Sequence, residues 1–186
     1  MATLVLYDGS GERRLDLVLN TGQRYRAIVP NPVLKAELVR KLGEAAPVAI
    51  VAARGGLIGN LKVWENLVLP IAYRGEVRLD DLEARAEMLF CSLGVLRERF
   101  AELCSLLPDR LSEFERRLTA FVRAMLAEPE IMVYDGLFDG LTRPEIEKAA
   151  RFDRLFRLHF PFRTAIFLDA EDPMLPALSG YPAFYL

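Results

Sequence analysis

Residues 107–141 read LPDRLSEFERRLTAFVRAMLAEPEIMVYDGLFDGL. Two periods meet here. Over 111–129 large apolar residues recur at helical spacing. Ser112 stands where an N-cap belongs, and Glu115 lies three residues on to complete a capping box. Over 130–135 the run is short and continuously apolar, the pattern of a strand buried in a sheet, and it delivers an acid, Asp135, to a loop. A helix running straight into a core strand is a unit of parallel α/β sheets.

Working outward, 164–169 (TAIFLD) is a second core strand, joined to the first by a helix over 143–160. Residues 47–53 (PVAIVAA) read as a strand buried on both faces. Residues 24–29 (RYRAIV) form a strand that stops at Pro30, and 32–44 a helix with proline near its start. Residues 3–7 and 15–19 flank the turn DGSGE, which predicts an N-terminal β-hairpin. Residues 79–95 open with acids and read as a helix. The second half alternates helix and strand, so the predicted class is α/β with a mostly parallel sheet.

Composition narrows the function. The 186 residues suffice for one well-filled domain. A net charge of −2 supplies no basic field, and no basic stripe with interleaved aromatics occurs, so nucleic-acid binding is excluded. No apolar run reaches membrane-spanning length, since residues 63–73 contain Glu65 and Pro70. The first residues lack a basic start before a long apolar core, so no signal peptide is expected. Cys91 and Cys104 form no CxxC or Cys/His cluster and are read as two buried free thiols. The expectation is a soluble, cytoplasmic protein, peripheral at the inner face of the plasma membrane at most.

The order of these pieces resembles an ABC-transporter ATPase subunit, most of all the cassettes serving MCE-type (Mla-like) lipid transporters. Two stretches carry the resemblance: GGLIGNLKVWENLVLPIAYRG at 55–75 and the 107–141 stretch. It implies a P-loop NTPase-like fold: a mostly parallel sheet flanked by helices, a small helical subdomain over roughly 60–115, and a reduced N-terminal β part. The whole chain, 1–186, is then a single trimmed cassette.

The nucleotide machinery does not come with the pattern. A P-loop needs glycines whose N–H groups wrap phosphate, a lysine, and a hydroxyl for magnesium. The matching stretch, VPNPVLKAEL at 29–38, places Lys35 at the lysine position. It has no glycine, two prolines without N–H, Ala36 for the hydroxyl, and Glu37 beside it. Lys35 is therefore read as a solvated helix lysine. Ala53 stands at the Q-loop glutamine. The signature LSGGQ becomes LSEFE, keeping Ser112 but setting two acids where phosphate would lie. Gly136 follows Asp135 where a catalytic glutamate belongs, so no general base is visible. Ala170 stands near the switch histidine. The only histidine, His159, is read as a packed or surface residue. Asp135 is read as a cap, a loop acceptor, or a holder of a stray cation, ahead of a magnesium ligand.

The vestigial nucleotide positions are thus Lys35, Ser112 and Asp135. No catalytic residue, no metal site, and no bound ATP or magnesium is expected. The segment 57–73 faces the membrane subunit in the family, which makes Leu57, Trp64, Glu65, Leu67 and Tyr73 partner-interface candidates. For Leu67 and Leu69, packing inside the helical subdomain is an equal alternative. Three functions stay open. One is an inactive structural or regulatory subunit docking on a permease or an active cassette. Another is an ATPase with a rearranged site built from Lys35, Ser112 and Asp135. The last is a nucleotide-free regulator outside transport.

Overall fold

The computed structural model describes residues 2–7, 14–72 and 79–186. Its contacts divide the chain into two compact units. One comprises Met1–Ala49, Pro129–Gly136 and Arg157–Leu186, and the other Ile50–Glu128 and Leu137–Phe156.

The first unit holds most of the sheet, the last residues of its strand 48–52 falling in the second. Strands β1 (Ala2–Tyr7) and β2 (Arg14–Leu19) pair antiparallel as the predicted hairpin. The DGSGE turn lies outside the described residues. Strand β3 (Arg24–Ile28) leads to helix α1 (Pro32–Ala45). Strands β4 (Val48–Ala52), β5 (Ile131–Asp135), β6 (Thr164–Asp169) and β7 (Ala183–Tyr185) complete a five-stranded sheet of order β4-β5-β6-β3-β7. The β5/β6, β3/β6 and β3/β7 pairs are parallel.

The β-strand runs are short, apolar and rich in branched or aromatic residues, and β6 is buried at every position. Leu34, Leu38 and Leu42 recur at i and i+4 along α1 and pack with Tyr25, Val133 and Ile166. Burying a leucine such as Leu38 stabilises by about 1.5–3 kcal/mol. Tyr134 and Phe167 stack with ring centroids 4.7 Å apart.

One strand departs from expectation. Strand β4 is not buried on both faces. It lies at the edge of the sheet, with only Val51 fully buried and Ile50 37% exposed. A central and an edge strand can share one apolar run, because neighbours along the sheet are set by topology and not by local sequence.

The second unit is helical: α2 (Val63–Ala72), α3 (Leu79–Ser92), α4 (Arg97–Ser105) and α5 (Glu113–Leu126), with most of α6 (Arg143–His159). Both α2 and α3 pack on α5. Phe121 of α5 stacks on Phe152 of α6, centroids 4.5 Å apart at 10°. Cys91 is exposed on α3, not buried as expected, because the buried stripe of that helix runs through Leu82, Ala86, Leu89 and Phe90. Cys104 is half-buried, and burial pushes its thiol up to about 12. Both cysteines are free.

Candidate functional site

In the first unit, the turn from β3 into α1 carries the stretch 29–38 that the sequence pattern sets against a phosphate loop. Asn31 is the N-cap of α1, and its Oδ1 accepts from the N–H groups of Val33 (2.9 Å) and Leu34 (3.4 Å). Unsatisfied N–H groups are what makes a helix N-terminus an anion site. Here a side chain of the chain itself satisfies two of them, and Pro32 at the first turn has none. Lys35 forms an ion pair with Asp135, with side chains 26% and 28% exposed. It is therefore not the solvated lysine expected. The cation beside Asp135 is its ammonium. Gly136 follows with φ +61, a conformation that disfavours any larger residue, and donates its N–H to Leu168 O at 3.0 Å.

Ser112 belongs to the second unit, and Lys35 and Asp135 belong to the first. It makes the predicted capping box. Ser112 Oγ accepts from the Glu115 N–H (3.1 Å), and Glu115 Oε2 accepts from the Ser112 N–H (2.9 Å). Ser112→Ala should therefore cost about 1 kcal/mol in urea unfolding. Glu115 also binds Arg99. Burial pushes its carboxyl up, but the donors on Arg99 and Ser112 outweigh that and hold it below the usual carboxylate range. A folded-state value below the unfolded one stabilises fully above the ordinary carboxylate range. The contribution is lost as pH falls through the depressed value. Urea midpoints measured down to acid pH should fall less steeply for Glu115→Gln than for wild type.

Sequence reasoning missed Arg117, one turn into the same helix. Its side chain is 3% exposed. Nε donates to Ala53 O (2.5 Å), one Nη to Leu137 O (3.2 Å) and the other to Asp139 O. Burial lowers its pKa, and the acids Glu113, Asp139 and Glu145 counter that. Arg123 adds a bond to Gly56 O at 2.9 Å. Between those two anchors, a Cβ on Gly55 (φ +77) would stand 2.9 Å from Arg116 O, so only glycine fits. The loop 53–56 is thus held to α5 at both ends. An open cavity of about 460 Å³ remains beside it, lined by Arg54, Arg116 and Asp139 among others. The available signal was positional: Arg117 sits at i−4 from Phe121 and i−8 from Met125, on the buried stripe.

Asn66 was also missed. It is fully buried on the stripe of Val63, Leu67 and Ile71 in α2. Its Oδ1 accepts from the Ile58 N–H (2.7 Å), and its Nδ2 donates to Ile58 O, Leu61 O and Lys62 O. Of the interface candidates, Leu57 and Trp64 are half-buried and Glu65 is exposed, its carboxylate accepting from the Lys62 N–H at 2.7 Å as a helix cap. Leu67 is fully buried, so its side chain belongs to the core of this unit, and Leu69 is half-buried. Tyr73 lies outside the described residues. His159 is exposed beside Phe160. Among the described residues no cluster of three His, Cys, Asp or Glu would hold a metal, and no helix is long and apolar enough to cross a membrane.

No protein-family model matches the chain, and no curated protein does. Solved structures do. The chain is similar to cbiO1 from Clostridium perfringens, part of the ABC transporter complex cbiONQ, at 14% identity and a TM-score of 0.67, covering 90% of this chain and 76% of that one. It is similar to MJ0796, a bacterial ABC transporter cassette in its dimeric structure, at 16% identity and a TM-score of 0.68, covering 91% and 85%. The chain has the mixed α/β fold of ABC ATP-binding cassettes, a parallel sheet flanked by helices.

Proposed function

We propose that the chain is a catalytically inactive cassette-like subunit of an ABC transporter of the MCE/Mla lipid-transporting type. In this reading it sits on the cytoplasmic side and docks on the membrane-embedded permease through segment 57–73, alone or paired with an active cassette. The observation that carries the reading is internal occupancy. The groups that would hold phosphate and magnesium have partners within the chain: Asn31 on the first-turn N–H groups, and Lys35 on Asp135. Resident partners of this kind remove the attraction a nucleotide needs, because binding would first have to break them. Gly136, with no side chain to polarise water, supports the same reading. Trp64 is the leading docking residue, a half-exposed aromatic at the first turn of α2.

Calorimetry of the purified protein with Mg-ATP tests the first half. The expected result is no heat and no thermal stabilisation up to millimolar nucleotide. Saturable binding abolished by Lys35→Ala would replace this reading with an ATPase built on a rearranged site. Copurification from native membranes tests the second half. Recovery of neither permease nor cassette would remove the transporter assignment.

A further inference from the structure

On the helical unit, the end of α3 and the starts of α4 and α5 surround, with α6, an open groove of about 690 Å³. Its floor is apolar, with Leu103 and Leu118 each 1% exposed. Val95, Leu96 and Phe114 form its walls. Leu96 is 72% exposed and occupies the N-cap position of α4, where it makes no side-chain cap bond. A serine or aspartate there would stabilise the helix, so an exposed leucine at that place costs local stability without an internal return.

The charges around the groove are asymmetric. Glu115 is held by Ser112 and Arg99, and Glu145 accepts from the N–H and hydroxyl of Thr142. Arg99 is held by Glu115 and Glu102. Lys148 and Arg151, exposed and one turn apart on α6, make no ion pair among the described residues, although the Lys148 charge, after the Thr142 donors, helps hold the Glu145 carboxyl below its ordinary range. The Lys148 ammonium stands 5.8 Å from the Phe114 ring centroid, over the apolar wall.

We infer that this groove receives an amphipathic helix of a partner protein, one that carries a carboxylate a single turn from a leucine-sized side chain. The aliphatic side chain fills the slot between Leu96 and Phe114, and the carboxylate meets Lys148 and Arg151. The groove is walled by helices and offers no strand edge, so an extended segment would gain no backbone pairing there. Two exposed cations fall short of the cluster of four or more that marks an anionic membrane surface. The groove shares no residue with segment 57–73, and it is independent of whether nucleotide binds.

The test is a displayed library of helical peptides selected on the full chain, with the selected peptides titrated by fluorescence anisotropy. Leu96, Lys148 and Arg151 are exposed, so Leu96→Asp and the Lys148→Glu/Arg151→Glu pair keep the fold, as melting curves would verify. Selected peptides should carry an acid one turn from a leucine-like residue. They should bind each variant at least about tenfold more weakly, and should lose binding when their acids are changed to lysine. The inference is overturned by an absence of binders, by peptides without the acidic feature, or by affinity unchanged in Leu96→Asp. Two other results also overturn it: phosphatidylglycerol vesicles bound in a Leu96-dependent way with no peptide selected, or a dimer in sedimentation that Leu96→Asp dissolves.

Discussion

Arg117→Met is expected to lower the free energy of unfolding by about 3 kcal/mol, read from urea denaturation. The methionine keeps most of the aliphatic stem but removes donors from Ala53 O, Leu137 O and Asp139 O. Hydrogen bonds to a charged group are each worth about 1.5–3 kcal/mol. Part of that sum returns because a buried cation no longer has to be desolvated. Arg117→Lys should recover less than half of the loss. An ammonium offers its donors from one point, whereas the three carbonyls are met by three different guanidinium nitrogens. Protease sensitivity should rise at residues 53–56, the loop that Arg117 and Arg123 hold. A loss under about 1 kcal/mol would mean that water replaces the guanidinium without penalty.

Asn66→Leu should cost about 2–3 kcal/mol. The substitution is close in volume and keeps an apolar neighbourhood, so packing changes little. The loss falls on the Ile58 N–H and on Leu61 O, which the side chain alone serves among the bonds described, whereas Ile58 O and Lys62 O keep the backbone N–H groups of Leu61 and of residue 66. Asn66→Asp separates the two halves of the interaction. It can still accept from the Ile58 N–H but can no longer donate to three carbonyls, so it should be nearly as damaging. Near-wild-type stability in the aspartate variant would mean that the single accepted bond positions the loop and the three donated ones are incidental.

Both residues illustrate where sequence reading stopped. Helices α1, α5 and α6 were legible because their apolar residues repeat at 3.6-residue spacing, and β3, β5 and β6 because buried parallel strands are short apolar runs. Helix α4 was not, since only Phe100 and Leu103 of its nine residues are buried and four of the others are charged. Helix α2 was masked by Pro70 within it. The edge position of β4 had no local signature. At the candidate site, the replaced residue types could be read directly: no glycines at 29–38, Gly136 after Asp135, acids after Ser112. Their new partners could not. Asn31, Arg117 and Asn66 act on backbone N–H and carbonyl groups, which every residue has and no sequence pattern distinguishes.

Strand β3 pairs on one side with β6, Arg24 opposite Ala165, and on the other with β7, Arg26 opposite Ala183. Both of its neighbours lie far downstream of it in sequence. A nascent chain on the ribosome can close the β1–β2 hairpin and wind α1 early, because those contacts are local. It cannot join β3 to β5 in the middle of the sheet until β6 emerges, and β7 then covers the outer edge of β3. Until then the edges of β3 and the apolar face of α1 stand open to solvent, a window in which chaperone capture and aggregation compete with folding.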